Sequence, residues 1–140
     1  MNSRVTRRFT ARQAEFDAIR AFIEAACAEI EEDERQRAVL LVEELFANTV
    51  LHGYGGDSDE PVWLTVDVDS GGCRIVYEDR APAYNPFATD EPDLDSAAPE
   101  DRPIGGLGIV FLNELSSARS YARRDDRNVI EMHVRRTVRQ

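Results

Sequence analysis

The chain has 140 residues, with 27 Asp and Glu against 17 basic side chains and a net charge of −10, and every basic residue is arginine. The absence of lysine excludes a Schiff-base amine, a lysine-dependent Walker A loop and a Ser-Lys dyad, so arginine must make every positive contact to a phosphate. The length suits a single domain, 1–140, able to bury roughly two thirds of its unfolded surface.

The opening run RVTRRFTA (4–11) sets Val5 and Phe9 among arginines and threonines, which predicts a half-exposed strand at a sheet edge, where charge discourages aggregation. From Arg12 to about Ile30, the apolar positions Phe16, Ile19, Phe22, Ile23, Ala26, Cys27 and Ile30 recur at three- and four-residue steps and predict a helix. Asp33, with Gln36 three residues on, is the expected N-cap of a second helix that runs to His52 and stops at Gly53. A turn at 55–59 leads into VWLTVDV (62–68), whose strict alternation predicts a strand. Ser70-Gly71-Gly72 turns the chain back, so that Cys73, Ile75, Tyr77 and Asp79 share one face of the returning strand.

Residues 88–103 hold three prolines and six acids and read as a mobile loop. Gly105-Gly106-Leu107-Gly108 then opens a short helix through about Ser117. Two strands follow, near 119–124 and 128–136, around an Asp125-Asp126-Arg127-Asn128 turn. Strands joined mostly by hairpins exclude a doubly wound parallel sheet. The expected class is α+β, a two-layer α/β sandwich with a mixed, mostly antiparallel sheet and helices on one face.

Charge divides along this order. Residues 1–12 carry four arginines and no acid, residues 119–140 seven arginines and three acids, and residues 13–118 six arginines and 24 acids. An acidic centre argues against nucleic acid as the principal ligand. Cys27 and Cys73 have no metal-ligand spacing and make a weak disulfide framework, which favours a reducing compartment. No apolar run approaches the roughly 18 residues of a membrane span, and the amino terminus lacks a signal-peptide core, so a cytoplasmic location is expected.

Glu44, Asn48 and His52 are spaced four residues apart and fall in one line on the second helix, at about 100° per residue. Leu40, Ala47 and Leu51 flank the line on one side, and Leu41 and Leu45 on the other. A polar stripe between apolar ones is costly without partners, so something polar should face it. One reading makes Glu44 a general base and Asn48 an oxygen ligand for Mg²⁺ beneath a triphosphate; Mg²⁺ commonly takes only one or two protein ligands. The other pairs Glu44 with an arginine and has Asn48 cap a neighbouring backbone. His52 reads as a helix-terminal cap complementing the dipole.

Asp79 points to the helix-facing side and needs a donor. An adenine amine would serve, and so would an Asx-type turn before Pro82. The glycines of GGLG (105–108) precede an apolar helix, where backbone N–H groups can approach anionic oxygens; they also suit a plain flexible joint. Arg102, just upstream, is placed to reach a terminal phosphate with its planar fork or to remain solvated.

These segments, in this order, resemble the ATP-binding boxes of the superfamily that contains gyrase, histidine kinases and mismatch-repair ATPases, the Bergerat fold. The likeness is greatest to the small anti-sigma-factor serine/threonine kinases of bacteria. VEELFANTVLHGYGG (42–56) resembles their N box, with Glu44 and Asn48 at its acidic and amide positions. Asp79 begins the adenine box, where Ala81 stands at the usual glycine. GGLGIVFL (105–112) matches the second glycine box, and YARRDDRNVIEMHV (121–134) is similar to the closing hairpin.

The resemblance implies ATP and Mg²⁺ as cofactors and transfer of the γ-phosphate to a Ser or Thr of an anti-anti-sigma partner, with a sigma factor as the competing ligand. In that scheme Glu44 accepts the hydroxyl proton, Asn48 holds Mg²⁺, Asp79 and Ala81 meet the adenine, and Arg102 with Gly106, Leu107 and Gly108 meets the phosphates, under a lid at about 88–104. Proteins of this kind are commonly dimers, which makes the Arg-rich first strand a candidate homodimer interface. A non-catalytic switch that binds ATP to shape a partner surface is the alternative; a transducer-bearing gyrase type does not fit the length.

Overall fold

The computed structural model describes residues 3–87 and 118–136. Within them, five strands form one sheet: β1 (Ser3–Thr10), β2 (Pro61–Asp69), β3 (Gly72–Asp79), β4 (Ala118–Arg124) and β5 (Arg127–Arg135), in the order β1-β2-β3-β5-β4. Every neighbouring pair is antiparallel. The "mixed" sheet expected from sequence is therefore wholly antiparallel here, as hairpin connections favour. The Arg-rich β1 and β4 are the two edges, where charged side chains oppose further strand addition.

Helices α1 (Phe16–Ala26) and α2 (Glu32–Asn48) lie across one face. The expected layer architecture is present, with shifted helix limits. A 3₁₀ turn (Gln13–Glu15) precedes α1, and the chain leaves the helix at Cys27 rather than Ile30. Arg35 explains the tight corner: its guanidinium donates to the carbonyls of Cys27, Ala28 and Ile30 at 3.3–3.4 Å, giving partners to groups that a helix end leaves free. The N-cap of α2 is Glu31, in an extended conformation without a side-chain cap, and not Asp33. Glu32, Asp33 and Glu34 fill the first turn instead and favour its positive end. Gln36 donates to Glu32 at 3.3 Å and so makes no capping box.

Alternation sends Val62, Leu64, Val66 and Val68 of β2, and Cys73, Ile75 and Tyr77 of β3, toward the helices, where they meet Ile19, Ile23, Leu41 and Leu45. Each such side chain, fully buried, contributes about 1.5–3 kcal/mol. Phe9 meets Phe22 edge-on at 5.7 Å, which ties edge strand β1 to α1. At the β2–β3 turn Gly72 has φ +130, and a Cβ there would collide with the Val134 carbonyl, so the turn and its packing on β5 both require glycine. The β4–β5 turn has two residues, Asp125 (φ 51) and Asp126 (φ 63), both left-handed as in a type I′ hairpin.

The outer sheet face is polar. Two guanidinium groups approach the Trp63 ring, Arg127 at 3.5 Å and Arg80 at 5.2 Å from its centre. No helix among the described residues is long and apolar enough to cross a membrane.

Candidate functional site

Of the residues singled out from sequence, Glu44, Asn48, Asp79 and Ala81 are among those described, and they lie toward one end of the helix–sheet interface. Helix α2 passes at Thr49 into a π-helical turn, Thr49–Gly53, in which the Tyr54 amide reaches the Thr49 carbonyl at 2.8 Å. Such turns re-aim side chains and cluster at functional sites. Here the turn brings Thr49 over the end of β3 and sets Gly53 against Ala81. The second helix expected to reach His52 thus ends regularly at Asn48, where the π-helical turn begins.

Asp79 is 5% exposed at the carboxyl end of β3. Its Oδ2 accepts from Thr49 Oγ1 at 2.8 Å; its Oδ1 accepts from Asn128 Nδ2 at 2.8 Å and from the Ala81 amide at 3.2 Å. The Asx-type turn is therefore present, and it is one bond among three. When the single Thr49 proton goes to Asp79, Tyr77 donates its own to Thr49 Oγ1 at 2.7 Å. A carboxylate offers about four lone-pair directions. Three are taken, and the open one is on Oδ2.

Glu44 and Asn48 lie one helical turn up, both half-buried. Burial, and then the adjacent Glu43 carboxylate, push the Glu44 carboxyl above its ordinary range, against a hydrogen bond from Asn48 that lowers it. The Asn48 amide nitrogen donates in that bond, so its oxygen is not used there. Among the described residues Glu44 forms no ion pair with arginine. The flanks of the stripe are less apolar in effect than in sequence: Leu40 and Leu51 are 50% and 45% exposed, since the sheet takes only the Leu41 and Leu45 side of α2. His52 stands exposed in the π-helical turn, near the helix carboxyl end as expected.

Ala81, at the usual glycine, does not have positive φ, so its methyl group brings no backbone strain. Its room comes from Gly53, where a Cβ would lie 2.8 Å from Ala81 Cβ. Gly53→Ala is therefore expected to lower stability by about 1–3 kcal/mol through overpacking, and Ala81→Gly should recover most of that in the double variant. Urea midpoints of the four proteins test it; additive losses would show that the two positions do not compete for space.

Two residues not singled out from sequence complete the site. Thr49 follows Asn48 directly. Asn128 is the one polar side chain on the inward register of Asn128, Ile130, Met132 and Val134, a signal available in the alternation itself. Its Nδ2 also faces the Ala81 and Pro82 carbonyls at 3.2 and 3.1 Å, and its Oδ1 accepts from the Tyr84 amide and the Tyr121 hydroxyl at 3.1 and 2.6 Å. Arg123 donates to the Ala81 carbonyl at 2.7 Å. Tyr54 holds the other side, accepting from the Arg80 amide and donating to the Pro61 carbonyl; burial pushes its hydroxyl up to about 12.

Arg102, Gly106, Leu107 and Gly108, with the lid at 88–104, lie outside the described residues. Among the described residues no group of three or more His, Cys, Asp or Glu is arranged for a metal. A cleft of about 610 Å³ opens on the outer sheet face, lined by residues including Arg4, Asp67, Arg74, Glu78 and Arg127; it shares nothing with Asp79 or Glu44 and is not part of this site.

The profile of the histidine kinase-like ATPase domain family matches residues 9–134. Among solved structures, the chain is similar to the RsbU and RsbW domains of Rv1364c from Mycobacterium tuberculosis, with 14% sequence identity and a TM-score of 0.63 over 98% of this chain and 34% of that one. The likeness at that identity is one of fold, and this chain spans about a third of the other's length. No curated protein matches.

Proposed function

The chain belongs to the histidine kinase-like ATPase domain family, and from that premise we propose that it is an ATP-dependent serine/threonine protein kinase that phosphorylates an anti-anti-sigma partner and sequesters a sigma factor. The Glu44–Asn48 pair carries the reading: a carboxylate made more basic by burial, bonded to an amide whose oxygen is not used in that bond, one turn from the Asp79 network.

The residues fit the nucleotide. Asp79 keeps one lone-pair direction for an exocyclic amine, and the carboxylate is held by Thr49, Asn128 and the Ala81 amide so that it needs no reorganisation on binding. Asn48 would hold Mg²⁺ through its amide oxygen, with phosphate oxygens and water completing the shell. ATP supplies the transferable γ-phosphoryl group, and Mg²⁺ spreads its charge. Glu44 accepts the proton of the partner's hydroxyl. Arg102 and the amides of Gly106, Leu107 and Gly108 are assigned to the phosphates by family resemblance, which leaves phosphate recognition to arginine, backbone and metal in a chain without lysine.

Incubation with Mg²⁺, γ-labelled ATP and a small anti-anti-sigma-type partner protein tests the proposal. Label should appear on a partner Ser or Thr, and unphosphorylated partner should release a bound sigma factor. Tight ATP binding without transfer or phosphate release would select the non-catalytic switch; failure to bind Mg-ATP would remove both readings.

A further inference from the structure

The tyrosine that follows the π-helical turn is linked, through its neighbours, to both oxygens of Asp79. The Tyr54 amide donates to the Thr49 carbonyl at 2.8 Å and closes the turn that carries the Thr49 hydroxyl to Oδ2. The Tyr54 hydroxyl accepts from the Arg80 amide at 2.7 Å and donates to the Pro61 carbonyl at 2.9 Å. Arg80 immediately precedes Ala81, whose own amide donates to Oδ1. From this double linkage we propose that Tyr54 is a positioning residue for the adenine acceptor: it holds the Thr49 and Ala81 donors on opposite oxygens of Asp79, so that the remaining Oδ2 lone pair faces the nucleotide amine. The role rests on Asp79 being that acceptor, the reading given above.

The bridge admits one arrangement. A carbonyl only accepts and an amide only donates, so the single hydroxyl proton goes to Pro61 and a lone pair takes the Arg80 amide. Burial pushes the hydroxyl up to about 12, so it keeps that proton at neutral pH. The β2–β3 ladder ends at Val62 and Asp79, and the next pair along the register would be Pro61 and Arg80. Their carbonyl and amide meet at the Tyr54 hydroxyl instead. This fixes the direction in which the chain leaves β3, at the point where it turns the Ala81 amide back to Asp79. On the outer sheet face the Arg80 guanidinium lies 5.2 Å from the Trp63 ring centre, a second restraint on the same residue. Because Arg80 is exposed, water can serve its amide once the hydroxyl is gone, and the loss is then one of direction more than of fold.

Tyr54→Phe keeps the ring and the backbone amide and removes only the bridge. Isothermal titration of parent and variant compares Mg-ATP with the triphosphate of purine riboside, which lacks the exocyclic amine. Expected is ATP binding weakened about 5–30-fold, with the purine nucleotide changed less than about twofold, so that the parent's preference for the amine collapses. An equal loss for both nucleotides would mark a merely structural role and overturn the proposal, as would unchanged ATP affinity. Hydrogen exchange in the nucleotide-free proteins is the second measurement. Relative to the core amide of Ile75, the Ala81 amide should exchange at least about tenfold faster in the variant, and an unchanged ratio would overturn the proposal whether or not nucleotide binds. A parent with no preference for ATP over the purine nucleotide would remove the adenine reading; the exchange ratio alone then decides whether Tyr54 positions the carboxylate.

Discussion

Glu44→Gln is expected to reduce phosphoryl transfer by about 10²–10⁴-fold while ATP affinity changes less than about threefold, the range that removal of a positioned general base gives. The substitution keeps shape and keeps a carbonyl oxygen for the Asn48 amide, so its effect isolates the proton acceptor. The pH profile sharpens this. Burial holds the Glu44 carboxyl above the ordinary glutamate range of about 4.3, so as pH falls, transfer should begin to fail at a higher pH than an exposed glutamate would give. The same shift has a stability sign. A carboxyl with a raised folded pKa stabilises the fold when protonated and loses that contribution as pH rises through the folded value, so at neutral pH Glu44→Gln should be no less stable than the parent. Transfer rates between pH 4 and 8, about the range where the limb must appear, with denaturation curves at each end, check both claims. Undiminished transfer in the variant would take Glu44 out of the mechanism.

Asp79→Asn should leave the fold within about 1 kcal/mol of the parent and weaken ATP binding at least about 100-fold. The asymmetry comes from which oxygen can be replaced. Oδ1 accepts two donors, from Asn128 and Ala81, whereas Oδ2 accepts only the Thr49 proton. The new NH₂ therefore settles at Oδ2. There Thr49 can turn, accept from it, and give its proton to the Leu45 carbonyl 3.0 Å away. The fold keeps its bonds, while the one open acceptor has become a donor facing an amine. Asp79→Ala differs. Asn128 and Thr49 have other acceptors in place, but the buried Ala81 amide loses its one partner among the described residues and a void opens, costing about 2–3 kcal/mol. Isothermal titration with Mg-ATP and urea unfolding of both variants separate the two effects; equal affinity in Asp79→Asn would remove the adenine contact.

What could be foreseen from sequence followed from periodicity. Alternation in 62–68 and 73–79 put Asp79 on the helix-facing side, and four-residue spacing put Glu44 and Asn48 in line; both placements hold in the structure. The misses were of a different physical kind. Asp33 has cap chemistry, but the chain enters α2 two residues earlier because Arg35 binds the carbonyls of the preceding corner, a contact no local pattern contains. The exposure of Leu40 and Leu51 follows from how α2 is rotated on the sheet. Asn128 was legible in principle, as an amide in an apolar register, yet its role exists only once Asp79 and the 81–84 backbone arrive beside it.

Asn128 also changes what an edge strand is. β4, like β1, has one neighbour in the sheet, and edge strands are the ones that fray. Tyr121, however, donates to Asn128 of β5, and Arg123 reaches past β5 to the Ala81 carbonyl, so detaching β4 also frees the chain beneath Asp79, the proposed adenine acceptor. Edge fraying and loosening of that acceptor are then a single opening event, and ligand residence time becomes tied to the lifetime of the last hairpin. A nucleotide seated at Asp79 would slow hydrogen exchange at the distant β4 amides as much as at Ala81 itself.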